Sequence, residues 1–130
     1  HSYEFVFHLT KEGDVPIDRI ALGVPYTCKR NIDRYASPHG MRCGGDVWFI
    51  PYDAADYVSH PATFPVELPL RCLKLVGANK RTRVLDPFAG TGSTLVAAQQ
   101  LGCHAVGMEL DTGYCGIIAD RLQRANQQVG

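Results

Sequence analysis

Residues 86–93 read Asp-Pro-Phe-Ala-Gly-Thr-Gly-Ser, and Glu109 stands 23 residues beyond Asp86. A glycine-rich turn at the carboxyl end of a strand lets a ligand approach the backbone closely. An acidic side chain about 20 residues further on can accept both hydroxyls of a nucleoside's ribose. The turn departs from two familiar phosphate cradles. Leu95 sits where a dinucleotide fingerprint has its third glycine, and the lysine of a P-loop is missing. Asp86 replaces a bare run of amides; its carboxylate would repel a pyrophosphate but suits the ammonium of an amino acid. Together these features point to S-adenosylmethionine rather than NAD or ATP. The plain alternative is a glycine turn in a ligand-free βαβ unit, with Glu109 merely solvated.

Other residues invite weaker readings. Between residues 26 and 45, Lys29, Arg30, Arg34 and Arg42 face Asp33 alone, a local net of +3 on a chain of formal net charge zero. Tyr26, Asn31, Tyr35 and His39 are interleaved with them. Cations among aromatics and amides serve phosphate contact and base reading. They describe a solvated loop equally well. Cys28, His39 and Cys43 are of metal-ligating types, but a fourth ligand is not evident and their spacing fits no zinc pattern, so no metal is expected. Trp48 reads as a core or hinge anchor and Tyr114 as packing. Cys103 and Cys115 read as small buried fillers, and His8 as a satisfied strand residue.

These side chains need elements to position them. Residues 3–10 alternate and are rich in aromatic and β-branched types, which predicts a strand. Residues 13–46 read as irregular apart from a short strand at 20–24, and a long irregular stretch in a compact chain is usually functional or mobile. Residues 46–51 read as a short extended piece ending at Pro51. Leu68, Cys72, Leu75 and Val76 give one apolar helical face. Gly77 stops that helix, and Pro69 is tolerable in its first turn. The last third alternates most clearly. The pattern predicts a strand at 83–86, a helix at 93–101 closed by Gly102, a strand at 104–110 and a helix at 113–125. Tyr114, Ile118, Leu122 and Ala125 share one face of the final helix. That order means a right-handed βαβ unit and so part of a parallel sheet.

Composition sets the outer bounds. The chain has 130 residues, 45% apolar and 20% charged, which suits one globular domain and argues against wholesale disorder. No apolar run approaches the ~18 residues of a membrane span. Nothing at the start reads as a signal peptide, since Glu4 and His8 interrupt the early apolar residues. Five cysteines without a C-x-x-C pair argue for a reducing cytoplasm over a disulfide framework.

The segment DPFAGTGST followed by GMELD resembles motifs I and II of the DNA amino-methyltransferases, which make N6-methyladenine or N4-methylcytosine. His60-Pro61-Ala62-Thr63-Phe64-Pro65 resembles that family's motif X, and YEFVFHLTK its motif VIII. The order VIII, variable region, X, I, II is that of the permuted β class. The fold implied is α/β, the Rossmann-like methyltransferase sheet, present in part. The division implied is a motif VIII strand at 1–12, a DNA target-recognition segment at 13–55 and an S-adenosylmethionine-binding part at 56–130. Carried over by position, His60, Pro61, Ala62, Thr63 and Phe64 pack against the methionine end of the cofactor. Asp86, Pro87, Phe88, Ala89, Gly90, Thr91, Gly92 and Ser93 line its pocket, and Glu109 holds its ribose. The position of Lys29, Arg30, Arg34 and Arg42 implies contact with double-stranded DNA, by family analogy rather than local physics.

The resemblance also exposes a gap. The family's catalytic tetrad is a polar residue, Pro-Pro and an aromatic; it takes hydrogen bonds from the target amino group and stacks the flipped base. This chain contains no Pro-Pro. Around Pro25-Tyr26 and Pro51-Tyr52, no polar side chain stands two residues before the proline. In the permuted order the tetrad precedes motif VIII. The expectation is therefore a carboxyl-terminal part of a bacterial, archaeal or phage enzyme, completed by its upstream part or by self-association. No catalytic residue is assigned within the chain. Adenine ranks ahead of cytosine as target. The alternatives are a non-catalytic remnant or binding half, and a methyltransferase for RNA or a small molecule.

Overall fold

The computed structural model describes residues 3–13, 15–35, 38–51 and 63–128. Its best-packed part follows the alternation read in the last third. Strand β3 (Arg83–Asp86) and strand β4 (His104–Gly107) pair in parallel, with Arg83 beside His104 and Asp86 beside Gly107. Helix α3 (Ser93–Gln100) crosses between them, and helix α4 (Thr112–Gln128) follows. The expected strand at 104–110 ends early as a strand. Its continuation is nonetheless tied to β3, because the Met108 amide donates to the Asp86 carbonyl at 2.8 Å and the Met108 carbonyl accepts the Ala89 amide at 2.9 Å.

The core sits around α3, where Ala89, Leu95, Val96, Ala97 and Ala98 are buried. Only Gln100 of this helix is exposed, and a helix buried on so many sides needs neighbours all round. It packs on helix α2 (Glu67–Leu75), on α4 and on both strands. Close contact is set by glycine. A Cβ on Gly107 would stand 2.6 Å from Leu95 Cδ1, so the helix lies directly on β4. The opposite sheet face is bare: Leu85 and Val106, register partners on it, are 61% and 60% exposed.

Helix α2 has Pro69 in its first turn and ends as its sequence requires. The Gly77 amide (φ 66°) donates to Lys74 and the Ala78 amide to Leu73, which closes the last turn on a left-handed glycine. Gly102 (φ 68°) closes α3 in the same way, through Gln99 and Ala98. Arg71 of α2 pairs with Glu67 at 2.7 Å and lies 5.9 Å over the ring of half-buried Trp48, which anchors residues 46–51 to the helix. The Asp18 amide donates to the Leu75 carbonyl at 2.7 Å and ties the amino-terminal region to the same helix end.

Three expectations need correction. Residues 3–10 form no strand among the described residues, although Tyr3, Phe5 and Phe7 stack in sequence along one exposed side. An alternating segment becomes a strand only beside a partner edge. The strand expected at 20–24 is instead β1 (Val24–Pro25), antiparallel to β2 (Met41–Arg42), with residues 19–22 in turns. Between β1 and β2 lie helix α1 (Lys29–Tyr35) and a tight turn at Pro38–Gly40, within the stretch read as irregular.

Candidate functional site

The loop after β3 is shaped by its own side chains and glycines. One Asp86 carboxylate oxygen accepts the Phe88 amide at 3.0 Å, which starts the turn. Gly90 (φ 53°) and Gly92 (φ 85°) take left-handed conformations. Gly92 is doubly constrained, because a Cβ there would lie 2.9 Å from Ile118 Cγ1 of α4. The turn thereby presses against α4 on one side and opens a cleft of about 220 Å3 on the other.

Thr63, Phe64, Phe88, Ala89, Gly90, Thr91, Ser93 and Glu109 line that cleft. All eight are sequence-predicted site residues, drawn from three separate segments. Asp86, Pro87 and Gly92 do not line it: Asp86 and Gly92 shape the turn, and Pro87 is exposed. His60, Pro61 and Ala62 lie outside the described residues.

Glu109 is the charged group of the cleft, and it is already engaged. Its Oε2 accepts the Gly90 amide at 2.8 Å, and Oε1 accepts the Leu110 and Asp111 amides, each at 2.9 Å. These bonds, the one from Asp111 foremost, hold the carboxyl below its ordinary range. A carboxylate has about four acceptor positions. Three are taken, so Oε2 keeps the capacity for one further donor such as a hydroxyl.

The wall formed by Thr63 and Phe64 is held to the turn by a side chain. The Ser93 hydroxyl donates to the Phe64 carbonyl at 2.8 Å, across 29 residues of sequence. The arrangement leaves one carboxylate oxygen able to accept a further hydrogen bond, beside a turn that two glycines keep open to close backbone approach.

The family model of DNA methylases matches residues 1–120. The chain belongs to the N6/N4 DNA methylase family. It is 34% identical over 131 residues to the Type II methyltransferase M.Cfr9I of Citrobacter freundii, covering 98% of this chain and 39% of that one. It is 39% identical over 123 residues to the Type II methyltransferase M.SmaI of Serratia marcescens, covering 95% and 39%. It therefore spans well under half the length of these relatives. Among solved structures, the M1.HpyAVI complex with SAM superimposes with a TM-score of 0.51 at 26% identity, over 58% of this chain and 36% of that one. The α/β fold is accordingly a partial Rossmann-like methyltransferase sheet.

In this methylase chain the sequence reading missed one residue of the site. Arg121 of α4 donates from Nη1 to the Thr91 carbonyl at 2.8 Å and to Thr91 Oγ1 at 2.9 Å, and reaches Ser93 Oγ at 3.4 Å. It lies 30 residues from Thr91, and no local pattern announces the contact. Arg30 and Arg34 are exposed and four residues apart on α1, hence on one face, while Arg42 is exposed on β2. Lys29 opens α1. Cys103 is half-buried, whereas Cys115 is exposed rather than a buried filler. Tyr114 is half-buried, and His8 is exposed. No cluster of metal-ligating side chains and no helix long and apolar enough to cross a membrane occur among the described residues.

Proposed function

We propose that the chain is the cofactor-holding part of an enzyme that moves a methyl group from S-adenosylmethionine to the exocyclic amino nitrogen of adenine or cytosine in double-stranded DNA. The observation that carries the reading is the single cleft uniting Thr63–Phe64, the glycine turn and Glu109. The ribose sits at Glu109, with one hydroxyl donating to Oε2 while the Gly90 amide stays bound. The methionine end lies toward Thr63–Phe64. Asp86 acts from behind the cleft, through the turn that it shapes. When bound, S-adenosylmethionine would supply an electrophilic methyl group to that nitrogen, its sulfur leaving as a neutral thioether and the displaced N–H proton passing to solvent water. The chain's own residues orient the donor for that step, and adenine N6 ranks ahead of cytosine N4 as acceptor.

Lys29, Arg30, Arg34 and Arg42 contact DNA phosphate. The tetrad that receives the amino group comes from another polypeptide segment, which would cover the exposed face bearing Leu85 and Val106 or the exposed side chains of Tyr3, Phe5 and Phe7. Five free cysteines accord with work in a reducing cytoplasm. A second reading, a binding half that does no chemistry, is favoured by one observation, the lack of Pro-Pro in the sequence.

The test is calorimetric titration of the chain with S-adenosylmethionine, NAD and ATP in turn. S-Adenosylmethionine should bind at one site and the other two should not. Glu109→Ala should weaken that binding by roughly tenfold or more, as loss of a charged hydrogen-bond partner implies. Binding of NAD or ATP instead, or an affinity indifferent to Glu109, would overturn the cofactor assignment.

A further inference from the structure

The two walls of the cleft belong to segments far apart in sequence, and one hydrogen bond between them, Ser93 Oγ to the Phe64 carbonyl, has a specific guardian. Ser93 and Thr91 are buried, and Arg121 Nη1 faces three of their oxygens. A guanidinium nitrogen only donates. Its bonds to the Thr91 carbonyl and hydroxyl pin the turn, and its approach to Ser93 Oγ leaves the hydroxyl proton free to point at Phe64. The serine therefore accepts from one side and donates to the other.

We propose that Arg121 is a positioning residue that sets the spacing between the Thr63–Phe64 wall and the glycine turn, and so governs the grip on the amino-acid end of the methyl donor. The inference rests on the cofactor reading above and deepens it. Arg121 is not among the residues that line the cleft. It acts through Thr91 and Ser93 on the wall that Phe64 presents. Glu109, which holds the nucleoside end, is fixed separately by Gly90, Leu110 and Asp111. Loss of Arg121 should therefore separate the two ends of the ligand in their sensitivity.

The experiment compares S-adenosylmethionine with 5′-methylthioadenosine, which keeps the nucleoside and thioether but lacks the amino-acid part. Calorimetry is run on the full chain, on Arg121→Met and on Ser93→Ala. The expected result is a loss of about tenfold or more in S-adenosylmethionine affinity for both variants, with 5′-methylthioadenosine held within about twofold. Equal losses for both ligands would make Arg121 a purely structural residue, and no loss for either would make the contact idle; each overturns the proposal. Should Arg121→Met fail to fold, Arg121→Lys, which keeps the charge but not the forked donors, decides the matter by the same comparison. A wild-type chain that binds neither ligand overturns the cofactor reading itself and this inference with it.

Discussion

Glu109 does two things with one carboxylate. It organises the glycine turn through Gly90 and caps the chain after β4 through Leu110 and Asp111. Because its folded pKa is depressed, its contribution to stability is fully present above the unfolded value, about 4.3. That contribution is lost as pH falls through the folded value. Glu109→Gln cannot titrate, so its unfolding midpoint in urea should fall less steeply below about pH 4.3 than that of the parent chain. Parallel acid limbs for the two proteins would contradict the role. At this scale much was legible. Asp86, the two glycines and Glu109 announce themselves by type and spacing, and the fold brings them to one turn, where the left-handed positions demand glycine. The structural duties were not legible: Asp86 spends one oxygen on the turn, and Gly92 is required by its left-handed φ and by contact with Ile118. Arg121 was silent because an arginine on an amphipathic helix reads as solvated until the fold brings Thr91 beneath it.

Elements are held in place by close approach rather than by bulk. Gly92→Ala would meet Ile118 at 2.9 Å in a left-handed conformation, and the two penalties together should cost about 2–4 kcal/mol. Urea unfolding checks this, and a change under about 0.5 kcal/mol would mean that the turn yields freely. The helices and parallel strands after residue 66 were readable because their apolar period matches packing that lies within the chain. The strand expected at 3–10 failed for the complementary reason, since its pattern describes a surface whose partner edge is not among the described residues. Helix α1 was missed because a seven-residue helix between short strands has too few turns to show a period. Its cations carry a separate prediction. If Lys29, Arg30, Arg34 and Arg42 meet phosphate, they contribute about −3 to −4 to the log–log salt slope, or roughly 40- to 150-fold between 50 and 200 mM salt. Replacing all four with Gln should flatten the slope by that amount, as fluorescence anisotropy on duplex DNA would record; an unchanged slope would leave the segment merely solvated.

At the scale of the molecule, the described residues form a parallel pair of strands packed against α3 on one face and open on the other, and the proposed donor cleft stands in a sequence without Pro-Pro. It spans 39% of the length of relatives that are Type II methyltransferases. A cleft can hold a methyl donor, but transfer also needs the target nitrogen held in line, and positioning supplies most of what this chemistry asks of a protein. The base must also leave the duplex, at a cost of a few kcal/mol. Under the proposed function, donor binding belongs to this chain and acceptor positioning to a second segment. The measurement that bears on this most directly is transfer of labelled methyl groups from S-adenosylmethionine to mixed-sequence duplex DNA, by the chain alone and with a polypeptide carrying the tetrad-bearing part of a family relative. The account predicts no transfer by the chain alone and transfer once the second polypeptide is present, abolished by Glu109→Ala. Turnover by the 130-residue chain unaided would contradict it, and Tyr26 or Tyr52 would then have to be the aromatic that stacks the flipped base.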